Sequence, residues 1–113
     1  MKISTHSRDG TLIVQLQEPR LDAAIAIQFK DQMRDLTDTA DPRVILDLAD
    51  VQFMDSSGLG AVVASMKQVG AGRKLELAAL TPTVQKVFQL TRMDSVFTIH
   101  DSLATGIARV DAG

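Results

Sequence analysis

Apolar residues recur along the chain with two different periods, and the changes of period divide it into elements. Leu12, Val14 and Leu16 alternate with Thr11, Gln15 and Gln17, the pattern of a half-buried strand. Ile13 breaks the alternation and predicts some cover on the second face. The segments Lys2–Ser7 and Thr11–Gln17 flank Arg8-Asp9-Gly10, and Asp-Gly predicts a tight hairpin. Pro19 cannot donate to a ladder and ends that strand. From Asp22 the period lengthens: Ile25, Phe29, Met33 and Leu36 form a helical stripe, with Asp22 as N-cap and Asp41-Pro42 as the stop.

Val44–Leu48 is a continuous apolar run with one aspartate, the mark of a strand buried on both faces. A second apolar patch, Val51, Phe53 and Met54, leads into Asp55-Ser56-Ser57-Gly58. Leu59, Val62, Val63, Met66 and Val69 then predict a helix that ends at Gly70 and Gly72. Lys74–Ala79 reads as a strand. Thr81-Pro82 starts a helix that buries Val84, Val87 and Phe88. Val96–Ile99 reads as the last strand. Asp101 or Ser102 caps a final helix with Leu103, Ile107 and Val110. The order β-β-α-β-α-β-α-β-α predicts an α/β fold: a small mixed, largely parallel sheet flanked by about four helices. The expected organisation is one domain over residues 1–113, fraying at its last few residues.

Composition narrows the chemistry. The 113 residues contain no cysteine, tryptophan or tyrosine, and two histidines, His6 and His100. Thiolate nucleophiles, cysteine-ligated metals and histidine-rich metal sites are therefore excluded. A net charge of −2 and four phenylalanines as the sole aromatics argue against a nucleic-acid surface. No apolar run reaches the roughly 18–20 residues of a membrane span, and the N-terminus lacks a signal-peptide pattern, so a cytoplasmic location is expected. Neither a cofactor nor a metal is expected.

Ligands and reactive groups in parallel α/β sheets collect at the carboxyl ends of strands. Two predicted turns fall there. One holds Asp22; the other is Asp55-Ser56-Ser57-Gly58-Leu59-Gly60 at the start of the second helix. A helix N-terminus offers free N–H groups and a partial positive charge. One serine is expected to cap the helix, leaving the other to face solvent. Gly58 and Gly60 leave space for a partner to approach, at a helix cost of about 1 kcal/mol each. At Gly58 no packing reason for this is visible in the sequence. Simple capping also accounts for Asp55, Ser56 and Ser57. Enzyme readings fit poorly. The nucleophile elbow Gly-x-Ser-x-Gly is missing, because Met54 or Asp55 stands where its first glycine belongs. A triad would need His6 or His100 as base. A receiver domain would place an acidic pair at the end of its first strands. No phosphate-binding Gly-x-x-x-x-Gly-Lys-Ser/Thr loop occurs.

The segment Val44-Ile45-Leu46-Asp47-Leu48, followed by Val51-Gln52-Phe53-Met54-Asp55-Ser56-Ser57-Gly58-Leu59-Gly60, resembles the signature of STAS domains, most of all bacterial anti-sigma factor antagonists. Leu21-Asp22, Thr81-Pro82-Thr83-Val84 and Val87-Phe88 extend the similarity over essentially the whole chain. The resemblance implies a protein-binding switch that is not an enzyme. Its partner would be an anti-sigma factor of the GHKL serine-kinase type, whose capture frees a sigma factor. Phosphorylation of Ser56, with Ser57 as the alternative, would break the complex, and a PP2C-type phosphatase would restore it. Ser57 would then cap the helix. Asp22, Asp55, Ser56, Ser57, Gly58, Leu59 and Gly60 would form the switch loop. Other members with this resemblance imply a second option, a subunit of a lipid-transport ABC system or of a stressosome-like complex. The chain departs from the family pattern at Glu18-Pro19-Arg20, where a glycine often stands two residues before the Leu-Asp pair. Residues 1–56 hold six Lys/Arg and ten Asp/Glu, and residues 57–113 hold six and four, so a phosphate on Ser56 would land in the acidic half.

Overall fold

A computed structural model describes residues 1–70 and 72–109. The opening hairpin forms from β1 (Ile3–Arg8) and β2 (Thr11–Leu16), antiparallel and joined by Asp9 and Gly10. Both turn residues have positive φ, 51° and 79°, the conformation whose twist matches a two-residue hairpin. The strands β4 (Arg43–Asp47), β6 (Lys74–Ala78) and β7 (Ile99–His100) continue this sheet in the order β1-β2-β4-β6-β7, every pair after the first parallel. Between them run helices α1 (Ala26–Leu36), α2 (Ser56–Val69) and α3 (Pro82–Leu90), and α4 (Leu103–Ala108) closes the described chain.

Two short strands were not legible in the hydrophobic pattern. These are β3 (Arg20–Leu21) and β5 (Phe53–Met54), which pair in parallel as a separate two-stranded sheet. Two residues are too few to show a period, so sequence alone assigns them to loops. The last strand is also displaced from its expected place at Val96–Ile99. Arg92 adopts a left-handed conformation after α3, and a single 3₁₀ turn over Met93–Ser95 takes up the chain before β7. Phe97 enters the core there, edge-on to Phe88 with ring centroids 5.9 Å apart. The first helix stops at Leu36, ahead of Pro42, where the Thr37 hydroxyl donates back to the Met33 carbonyl. Val110 and the expected frayed tail lie outside the described residues.

The two faces of the main sheet are covered differently. Leu12, Val14, Leu16, Val44, Leu46, Leu75 and Leu77 share one face and pack with Phe29 and Met33 of α1, Val62 of α2 and Phe88 of α3 in a single apolar core. The opposite face carries Ile13 and Ile45, both buried, as the break in alternation at Ile13 predicts. It also carries a polar group. Glu76 accepts hydrogen bonds from Arg43 Nη2 at 2.8 Å, and His100 Nε2 lies 2.6 Å from its Oε1. Arg43 also donates to the Gly106 and Arg109 carbonyls at the end of α4, at 2.6 and 3.0 Å. Gly106 lies so close to the His100 ring that a Cβ there would sit 3.0 Å from its Cδ2. Burial opposes ionisation of Glu76, but its bonds and charge contacts with Arg43 and His100 outweigh this and hold its pKa below the ordinary 4.5. This group fixes α4 to the sheet.

Removing one member of a buried charged group strands the others. Glu76→Ala is therefore expected to lower unfolding free energy by about 3 kcal/mol in urea denaturation. A loss below about 0.5 kcal/mol, the size of an ordinary surface substitution, would show that apolar contact alone holds α4.

Candidate functional site

The two-stranded sheet brings both predicted turns together. Arg20 lies opposite Phe53 and Leu21 opposite Met54, so the chain leaves the two strands side by side at Asp22 and Asp55. Pro19 contributes its carbonyl, which accepts from Gln52 N at 2.8 Å and Phe53 N at 3.2 Å.

Asp55 is the N-cap of α2. Its Oδ1 accepts from Gly58 N at 2.9 Å and its Oδ2 from Ala23 N at 3.1 Å. One carboxylate thus caps the helix and ties it to the loop before α1. The expectation that Ser57 caps the helix is incorrect. Asp55 caps through the Gly58 amide, and the helix already begins at Ser56, which places Ser57 inside its first turn. Both serines are exposed, and neither hydroxyl makes a hydrogen bond among the described residues. The Gly58 amide is the largest influence on Asp55. With smaller contributions from the Ala23 and Ser57 amides it outweighs desolvation and holds the carboxyl below the ordinary 3.8.

Gly58 has a packing reason after all. A Cβ there would lie 2.0 Å from the Leu21 carbonyl oxygen, so α2 and β3 can meet only at a glycine. The contact is between distant segments, which is why the sequence does not show it. Gly60 is different: nothing lies within 4 Å of its would-be Cβ. Four residues after Ser56 on the helix, it leaves open space on the same side. Leu59 is half-buried and packs against the core, so it anchors the loop.

Asp22 is not the N-cap of α1. Its Oδ1 accepts from Ala24 N at 3.1 Å and its backbone carbonyl from Ile25 N and Ala26 N, which builds a turn three residues long before the helix starts at Ala26. Its Oδ2 pairs with Arg20 Nε at 3.0 Å. The Arg20 guanidinium in turn lies over the Phe53 ring, 4.3 Å from its centroid. Sequence reasoning missed this Arg20–Phe53 pair, although it noted the departure at Glu18-Pro19-Arg20. The exposed Ile27 is the second residue of α1, just past the same loop.

His100 does not serve Ser56. It is buried, and its Nε2 is engaged with Glu76 on the covered face of the main sheet. His6 lies on the exposed strand β1. Among the described residues no three acidic or histidine side chains are placed to hold a metal ion. Among the described residues no helix is long and apolar enough to cross a membrane.

The five-stranded sheet with its helices, and the two-stranded sheet that joins the two turns, make this a small mixed α/β domain. The STAS domain family model matches residues 2–106, and the chain belongs to that family. It is 32% identical over 103 residues to BtrV of Bordetella bronchiseptica, named as a candidate anti-sigma factor antagonist, with 90% of this chain and 88% of that one covered. A candidate anti-sigma factor antagonist from Thermotoga maritima has the same fold, with a TM-score of 0.84 at 24% identity over 93% of this chain and 91% of that one. The anti-sigma factor antagonist SpoIIAA of Bacillus, in its unphosphorylated form, gives 0.74 at 25% identity over 94% and 93%. SpoIIAA has also been solved in a phosphorylated form.

The two glycines should respond in opposite directions. Gly60→Ala is expected to stabilise the protein by about 0.5–1 kcal/mol, the helix-propensity gain. Gly58→Ala is expected to destabilise it by about 3 kcal/mol, the upper end for overpacking. Thermal melts of both variants check this, and equal effects would contradict the Leu21 contact. The Asp55 cap has a pH signature. Its carboxyl is depressed in the folded state, so its contribution is complete above the ordinary 3.8 and disappears as pH falls through the lower folded value. The melting temperature of Asp55→Ala should therefore lie well below that of wild type at pH 7, and the gap should narrow below about pH 3.8.

Proposed function

We propose that this chain is a phosphorylation-controlled binding switch, an anti-sigma factor antagonist that acts without catalysing a reaction. Unphosphorylated, it binds an anti-sigma factor of the GHKL serine-kinase type in the cytoplasm and so frees a sigma factor. Phosphorylation at Ser56 releases it, and a PP2C-type phosphatase resets it. Membership of the STAS family and relatives named as anti-sigma factor antagonists support the general role.

The observation that carries the choice of serine is the open space at Gly60. Asp55 does the capping, so both serine hydroxyls are spared and exposed, and Ser56 is the one whose i+4 neighbour is Gly60, whereas the i+4 neighbour of Ser57 is the buried Ala61. Phosphate there adds about 1.5–2 negative charges next to Asp55 and Asp22. The amino end of α2 tolerates that charge locally, so the fold is retained. A partner surface shaped for a neutral hydroxyl then meets a concentrated charge. Weakening of 10- to 1000-fold requires about 1.4–4 kcal/mol, within the range of one desolvated charge.

Incubation with the kinase recovered by pull-down from native lysate, and ATP, should phosphorylate wild type and Ser57→Ala but not Ser56→Ala. Full phosphorylation of Ser56→Ala would overturn the assignment. The same pull-down should retain the kinase on wild type and lose it on Ser56→Asp.

A further inference from the structure

We infer that Arg20 is a phosphate-reading residue, poised to exchange its ion pair with Asp22 for one with phosphorylated Ser56. The inference rests on Ser56 being the residue that is modified, and it concerns what happens within the molecule afterwards.

Three observations converge on Arg20. First, its guanidinium is held at the two-stranded sheet. Its Cζ lies over the Phe53 ring, 4.3 Å from the centroid, and Nε holds Asp22 at 3.0 Å. Second, its capacity is not exhausted. Guanidinium has five N–H donors, and only Nε is used among the described residues, leaving the terminal pair to solvent. The side chain is 59% exposed, so it can rotate without leaving a buried hole. Third, Arg20 and Ser56 flank one junction. Arg20 pairs with Phe53 across the two-stranded sheet, Ala23 N bonds Asp55, and Ser56 follows Asp55 directly.

The exchange follows from relative acceptor strength. The Arg20–Asp22 pair is open to water on the arginine side, with Asp22 itself only 19% exposed, so water competes for the guanidinium and the pair is worth little. A dianionic phosphate offers three oxygens and matches the guanidinium fork in bidentate fashion. Phe53 can keep stacking on the guanidinium while the fork turns, so the cation need not return to bulk water. The surface then changes twice for one modification. A phosphate appears, and the free N–H fork of Arg20 and its neutralisation of Asp22 are withdrawn. Asp22 retains the Ala24 amide, so the turn itself stays intact.

The test installs phosphoserine at position 56 during translation, by an engineered tRNA pair, so that no kinase is needed. The Arg20 Nε–Hε signal is followed by NMR in the phosphorylated and unphosphorylated chains, and the phosphate by ³¹P titration in wild type and Arg20→Gln. The inference expects the Arg20 Hε signal to move downfield and exchange more slowly on phosphorylation. It also expects the phosphate's second pKa, ordinarily about 6, to be at least half a unit lower in wild type than in Arg20→Gln. Arg20→Gln also unmasks Asp22, which raises that pKa without any direct contact, so Arg20→Lys is measured alongside it and the Arg20 Hε signal reports the contact itself. An unmoved Arg20 signal together with equal pKa values overturns the inference. Should Arg20→Gln lose its fold, Arg20→Lys serves instead: it keeps the charge without the fork, and an equally large Lys effect would overturn bidentate capture. A kinase that ignores Ser56 would sink the proposed function but leave this result standing.

Discussion

One carboxylate holds the candidate site together. Asp55 accepts from Gly58 N on its own helix and from Ala23 N, 32 positions earlier in the chain. With that bridge, the carboxyl end of β3 and the amino end of α2 form one surface rather than two independent turns. The close approach of Gly58 to the Leu21 carbonyl enforces the same junction sterically. A hydrogen bond and a steric limit thus specify one geometry, and Ser56, Asp22 and Arg20 take their positions from it.

The opposite face of the sheet solves a different problem. A helix of six residues such as α4 has too little apolar area to fix its own placement. Arg43, Glu76 and His100 supply directional contacts instead, reaching the end of α4 through its carbonyls. Directional groups define orientation more sharply than apolar contact does, and here they do so on the face where the three-helix core is absent. The candidate switch surface and this polar clamp lie on separate elements, so the site rests on a sheet anchored from both sides.

Much of the fold was legible in the sequence because long elements carry their own period. The alternation at Leu12–Leu16, the Asp9-Gly10 turn, the apolar run at Val44 and the Thr81-Pro82 start all depend on neighbours in the chain. The parts that were not legible depend on distant contacts. The strands β3 and β5 exist only through each other, and the requirement for glycine at 58 comes from the carbonyl of residue 21. The assignment of capping failed for a related reason. Ser57 and Asp55 are both good caps by type, and only the three-dimensional path of the chain decides which carboxylate or hydroxyl reaches the Gly58 amide. The family resemblance located the loop, while its internal division of labour and the Arg20–Phe53 stack required coordinates.

The short parallel pairing of β3 with β5 has a consequence for recognition. That pairing brings residues 20–23 and 53–60 together alongside the Asp55–Ala23 bond and the Gly58–Leu21 contact, so any protein that reads Ser56 in this setting meets a discontinuous epitope. A linear peptide carrying Asp55 through Gly60 would present the serine without the Arg20 side chain, the Asp22 turn or the helical presentation of its hydroxyl. Specificity of this kind belongs to the folded domain as a whole, and unfolded copies of the chain are silent by construction.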